Sequence, residues 1–183
     1  MNQMGSKRPP KLIFDASSPI TAAQFNVRGR LIIEFITDWA QIVIPEGVKT
    51  EAVDLGLRAG YPDALELERL IRSRRIIVEK APAADPAFET VMAAYEIEPG
   101  DVEILRLCRK TLDYDNVVVD DRLLYLILHR FNMHPIFLPD LIVAIVRDGA
   151  ITNEIGEQML NVIRPRYRSG FIEHSLMMLK GAI

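Results

Sequence analysis

The sequence predicts an α/β protein of three layers, α/β/α, with helices on both faces of a central, mostly parallel five-stranded sheet. Short β-branched runs alternate with segments of helical spacing along the chain, as in a parallel sheet whose crossovers are helices. At 183 residues, 49% of them apolar, the chain has the material for one domain around one substantial core. It holds no internal repeat, low-complexity tract or linker. The predicted organisation is a flexible tail over 1–10 and a single domain over 11–183. A helical insertion falls around 61–99 and C-terminal helices over 152–180.

Each element has its own signal. Lys11 to Phe14 is an apolar run meeting Asp15 and the turn Ala16-Ser17-Ser18-Pro19, a buried strand entering a helix start. A helical stretch is expected around Ile20 to Trp39, then a strand over Gln41 to Ile44 stopped by Pro45. A helix opens at Glu46, with Val48, Ala52 and Leu55 as its apolar stripe. Tyr61-Pro62-Asp63 breaks the chain and starts a helix through about Ser73, and Arg75 to Val78 is a β-branched third strand. The Ala- and Pro-rich region 81–99 carries a weaker helix. Gly100-Asp101 opens a clearer one, in which Ile104, Leu107, Cys108 and Thr111 share a face. Asn116 to Val119 is the fourth strand, ending in Asp120-Asp121. Leu123 to Phe131 is helical and Pro135 to Leu138 the fifth strand. Asp140 to Arg147 is helical, with Gly149 as its C-cap. The tail from Thr152 to Lys180 reads as two amphipathic helices split near Ser169-Gly170.

Composition excludes several classes. The longest apolar run, Leu141 to Val146, is far below the roughly 20 residues of a membrane-spanning helix, and the basic start at Met1 has no apolar stretch of a secretory signal. A single cysteine, Cys108, permits no internal disulfide and no paired zinc site; the expectation is a buried thiol in a reducing cytoplasm. Net charge is −3 and the pI about 5.7, so the global field repels a polyanion. Binding one would need a local basic patch or a metal ion.

Four carboxylates stand out: Asp15, Glu51, Glu103 and Asp121. Parallel sheets bind ligands beyond the carboxyl ends of their strands. Asp15 and Asp121 follow strand-forming runs, so they meet at that edge if the strands are neighbours; either alone also serves as a helix cap. Glu51 shares the spacing of Val48, Ala52 and Leu55, which predicts an inward carboxylate needing an arginine or a metal. Glu103 lies in a first helical turn, where the dipole favours an anion by itself. If all four converge, two carboxylates about 4 Å apart repel by roughly 4 kcal/mol at an effective dielectric of 20, so the cluster requires a cation or protons. Mg²⁺ and Mn²⁺ prefer such hard oxygen ligands, and phosphodiester hydrolysis is the commonest chemistry built on them.

The ordered set Asp15-Ala-Ser-Ser-Pro, Ile44-Pro-Glu-Gly-Val with Glu51, Gly100-Asp-Val-Glu103 and Val117-Val-Val-Asp-Asp121-Arg resembles the PIN-domain nucleases. Within them it is most similar to the predicted proteins akin to VapC toxins, over Leu12 to about Leu179. The resemblance implies a metal site of Asp15, Glu51, Glu103 and Asp121, with Ser17 nearby and Asp120 as an alternative ligand. It implies a five-stranded parallel sheet, Mg²⁺ or Mn²⁺ as cofactor, RNA as substrate, a homodimer, and an antitoxin protein as a partner where the chain is a toxin. The sequence departs from the pattern at Ile104-Leu-Arg-Leu-Cys108, where small residues are usual, and in the stretch from Tyr61 to Pro99. Two other functions compete. A PIN-like module binding RNA or protein without cutting fits the same letters. A haloacid-dehalogenase-type phosphatase fits Leu12 to Asp15 but lacks its general acid, since position 17 is Ser.

Arg164, Arg166 and Arg168, interleaved with Tyr167, have the character of an RNA contact, as a solvated helix end also would. Arg72, Arg74 and Arg75 form a similar group, of which one member has an inward acid as an alternative partner. His129, His134 and His174 are too scattered for a zinc motif, and the seven Met residues read as packing.

Overall fold

A computed structural model describes residues 8–83, 85–111 and 113–181. Most of the expected N-terminal tail therefore lies outside the described residues. The core sheet has strands β1 (Lys11–Phe14), β4 (Gln41–Pro45), β5 (Ile76–Glu79), β6 (Asn116–Val118) and β7 (Pro135–Ile136). They run parallel in the order β5-β4-β1-β6-β7, with Ile13 opposite both Val43 and Val117. This is the α/β architecture that the alternating pattern predicts. Leu12, Phe14, Ile42, Val117 and Val118 have no exposed surface. A parallel sheet covered by helices on both faces dictates such unbroken apolar strands. Truncating a side chain such as Ile13 to Ala costs about 2–5 kcal/mol at a site of this kind.

The chain enters the sheet at its centre, winds outward to β5, then returns to the other side of β1 as β6 and continues to β7. The loops after β1 and β6 therefore leave in opposite directions and open a crevice at the sheet's carboxyl edge. Asp15 and Asp120 are the residues at that reversal.

Helices fill the connections. α1 (Ser17–Gln24), α2 (Ile32–Trp39) and α5 (Pro62–Arg72) pack together, and α7 (Pro99–Lys110) lies on β4 and β1. Between β4 and α5 run α3 (Glu46–Lys49), a π-helical stretch (Thr50–Leu55) and α4 (Gly56–Ala59). Helix α6 (Pro86–Ala93) starts on Asp85, whose side chain accepts from the Phe88 N–H. α8 (Arg122–Arg130), α9 (Leu138–Arg147), α10 (Asn153–Ile163) and α11 (Ser169–Leu179) complete the fold. Gly149, with φ +77°, ends α9 as predicted.

Four local expectations are corrected. The helix expected from Ile20 to Trp39 is interrupted by a hairpin, β2 (Asn26–Val27) and β3 (Arg30–Leu31), because Arg28 and Gly29 both adopt positive φ and form a tight turn. The stripe expected through Leu55 fails: the π-helix advances each residue by less than the 100° of an α-helix, leaving Leu55 50% exposed while Val53 is buried. The fifth strand is only Pro135–Ile136, since Phe137 and Leu138 are drawn into the start of α9. The C-terminal helices divide earlier than Ser169, at a 3-10 turn over Arg164–Arg166 that contains Pro165.

Candidate functional site

Asp15 leaves β1 with its backbone N–H bonded to the Val118 carbonyl at 3.0 Å, so the ladder still holds it. Its side chain is only 3% exposed. Oδ1 accepts from the Ser18 N–H and Oδ2 from the Asp120 N–H, each at 2.8 Å. One carboxylate thus ties the first turn of α1 to the end of β6. Burial and the neighbouring Asp120 charge push its pKa up to about 7, against the pull of those two N–H groups.

Asp120 is the acid that faces Asp15 across the reversal. Its Oδ2 accepts from the Tyr167 hydroxyl at 2.5 Å, while Oδ1 is buried with no hydrogen-bond partner. Burial raises its pKa; the Tyr167 hydroxyl, the Leu138 N–H, the nearby Ser18 hydroxyl and the charge of Arg166 oppose that rise. The Ser18 hydroxyl makes no well-formed hydrogen bond of its own. Burial and the two carboxylates hold the Tyr167 phenol far above its ordinary range, so it stays a donor.

A second group lies on the rim. Asp101, in the first turn of α7, is partly buried, and its pKa is pushed up to about 6 by burial and then by the charges of Asp121, Glu51 and Glu98. Partial burial and Glu98 also raise Glu51. Glu51 is exposed rather than part of the buried stripe, because the π-helix rotates that face outward. Asp121 caps α8, with Oδ1 accepting from the Leu124 N–H at 2.7 Å. The strand-end position beside Asp15 expected for Asp121 belongs instead to Asp120, one residue earlier. None of Asp15, Glu51, Glu98, Asp101, Asp120 and Asp121 forms an ion pair among the described residues.

Glu103 sits elsewhere. Its Oε2 accepts from the Gly47 N–H at 2.7 Å, at the start of α3. Residues 101 and 103 of one helix point about 200° apart, so only one of them faces the other acids. Asp101 is that residue, and its signal was present in the sequence: it lies three before Ile104 and extends the apolar stripe by one turn.

As placed, no group of three or more His, Cys, Asp or Glu among the described residues is close enough to hold one metal ion. The acids form two groups, Asp15 with Asp120 and Asp101 with Glu51, Glu98 and Asp121. Arg166 borders both, lining the cavity at Asp120 and the cleft at Glu51.

That cavity, about 430 Å³, is lined by Ser17, Asp120, Arg122, Arg166, Arg168 and Tyr167, together with Phe137 and Phe171. Ser17, Arg122, Phe137 and Arg168 stand at the N-terminal ends of α1, α8, α9 and α11, so four helix dipoles add positive potential to three guanidinium groups. Arg164 does not take part; it pairs with Glu173 at 2.6 Å. Arg72 and Arg75 are also engaged, with Glu68 and Asp38. Arg122, following the two aspartates, was the basic residue that periodicity did not single out.

Compared with known families and curated proteins, the chain matches no family model and no curated protein. The site therefore stands on its own geometry and chemistry. Among the described residues no helix is long and apolar enough to cross a membrane. Cys108 is buried, its thiol pushed up to about 12 by that burial.

Proposed function

We propose that this protein is a metal-dependent ribonuclease, similar to PIN-domain nucleases, that hydrolyses phosphodiester bonds of RNA with Mg²⁺ or Mn²⁺. The observation that carries the proposal is charge segregation at the crevice: among the described residues six carboxylates form no ion pair, and one of them, Asp120, lines a cavity with three arginines that form none either. Among the described residues the acids lack a paired cation, with only the charge of Arg166 reaching Asp120, and the arginines lack a paired anion. A divalent ion with a bound phosphodiester supplies both.

The donor set suits such an ion in its chemistry, in two groups rather than one. It is all carboxylate oxygen, and Asp120 keeps a buried Oδ1 without a partner. Among the described residues neither group alone brings three acids together, so holding the ion would require Asp15 and Asp120 to close with Asp101, Asp121 and Glu51 in the place of Arg166. A bound ion supplies Lewis acidity and a water of lowered pKa. Ser18 and the Asp120 N–H orient Asp15, Tyr167 orients Asp120, and Glu103 fixes α7 against α3 so that Asp101 faces the crevice. Arg122 and Arg168 are free to take the phosphates flanking the reacting one. A reducing cytoplasm, a homodimer and, for a toxin, an antitoxin partner belong to the same proposal.

The separation of the two acid groups by Arg166 favours a second reading, a PIN-like module that binds RNA or protein without cutting it. Cleavage of a labelled single-stranded RNA in MnCl₂ and in EDTA distinguishes them. The nuclease cuts only with the ion and is silenced by Asp120→Asn or Asp101→Asn with the fold intact. Uncut RNA, or full activity in either variant, removes the proposal.

A further inference from the structure

The cavity beside Asp120 carries aromatic surface as well as charge. The rings of Tyr125 and Phe137 are stacked, with centroids 4.4 Å apart and planes at 2°. Phe171 lies 5.1 Å from Phe137, tilted by 59°, and extends this ladder to the cavity. It is 43% exposed. A large ring left open in a concave site, at the end of a ladder whose inner members are stacked, offers a face to a further planar group.

The charges beside it say what that group is attached to. Among the described residues Arg122 and Arg168 form no ion pair and Arg166 meets only the charge of Asp120, whereas Arg69, Arg72, Arg75, Arg106 and Arg164 are each paired with a carboxylate. Unpaired guanidinium groups match phosphate oxygens in fork geometry. A flat π-system joined to phosphate is a nucleotide. The volume of about 430 Å³ lies within the roughly 300–1,000 Å³ of small-ligand pockets. A duplex keeps its bases inside its own stack, so only an unpaired base can enter a concavity of this size.

We propose that the cavity is a base-binding subsite in which one unpaired nucleotide stacks its base on Phe171 and places its phosphates on Arg122 and Arg168. The inference rests on the nuclease reading for its position beside the acids, and it adds how the substrate strand is gripped. Stacking on an aromatic platform tolerates every base, so the subsite selects for an unpaired nucleotide rather than for a sequence.

Fluorescence anisotropy with labelled pentauridylate in EDTA tests binding apart from cleavage. Phe171→Ala weakens binding about tenfold, the effect of losing one stacked base. Phe171→Tyr, which keeps the ring, binds as wild type. Arg168→Ala lowers the salt dependence of binding by about one phosphate contact. An abasic nucleotide moved along the strand has one position that costs wild type about tenfold and costs Phe171→Ala nothing further. Unchanged binding in Phe171→Ala, an undiminished abasic penalty in that variant, or equal binding of a duplex overturns the subsite. If the nuclease reading alone is wrong, no Mn²⁺-dependent cleavage occurs while these binding differences persist. If the subsite alone is wrong, Phe171→Ala still binds and cuts single-stranded RNA as wild type.

Discussion

Replacing Asp15 by Asn separates two opposing effects that meet on one buried side chain. The carboxylate accepts from both the Ser18 and the Asp120 N–H groups at 2.8 Å, which favours ionisation. Burial and the Asp120 charge disfavour it, and they win: the pKa rises from 3.8 to about 7. A carboxyl group whose folded pKa lies above its unfolded value stabilises the fold fully below the unfolded pKa. That stabilisation is lost as pH rises through the folded one. Between pH 4 and pH 8 the metal-free protein therefore loses on the order of 4 kcal/mol at this position. Asn does not titrate. It keeps one acceptor oxygen and turns its amide toward the other N–H, a pH-independent cost of about 1–3 kcal/mol. Urea unfolding in EDTA should find Asp15→Asn less stable than wild type near pH 4 and at least as stable near pH 8. A difference that stays constant with pH, or in which the deficit of Asp15→Asn grows as pH rises, refutes the dominance of burial over the two hydrogen bonds.

Gly47→Ala tests the contact that sets Asp101. A Cβ there would lie 3.1 Å from Gly100 Cα and 3.0 Å from Glu103 Oε2, so α3 and α7 must part at a cost of about 1–3 kcal/mol. That exceeds the roughly 1 kcal/mol gained in helix propensity, and a stabilised variant in urea melts contradicts the close approach. Tyr167→Phe removes the donor to Asp120 Oδ2 and should destabilise by about 1–3 kcal/mol where Asp120 is ionised. The deficit in thermal melts grows from pH 4 to pH 8, and a pH-independent loss would assign Tyr167 to packing alone.

The central strands were legible in the sequence because they are buried on both faces, and β-branched runs such as Ile42-Val43-Ile44 and Val117-Val118-Val119 have few other solutions. Asp15 was legible for the same reason, as the first polar residue after such a run. Residues placed by helix phase were harder. A π-helix carried Glu51 and Leu55 outward, which no α-helical spacing foretells. Asp101 and Glu103 differ by two positions, and the choice between them depended on whether the acid or the helix start at Gly47 faced each one. Tyr167 reaches Asp120 from 47 residues away, a contact set by how the C-terminal helices pack and by nothing local. The hairpin at Arg28-Gly29 was hidden because arginine is an uncommon residue for the left-handed turn it adopts.

The central claim is that the unpaired carboxylates at the sheet reversal take up a divalent cation. Titration of the protein with MnCl₂, followed by the loss of the free-ion electron paramagnetic resonance signal, measures this without substrate. The account predicts saturable uptake that Asp120→Asn and Asp101→Asn each weaken severely and that Glu103→Gln leaves nearly unchanged, since Glu103 is spent on Gly47. No saturable uptake, or uptake that depends on Glu103 and not on Asp101, would contradict it.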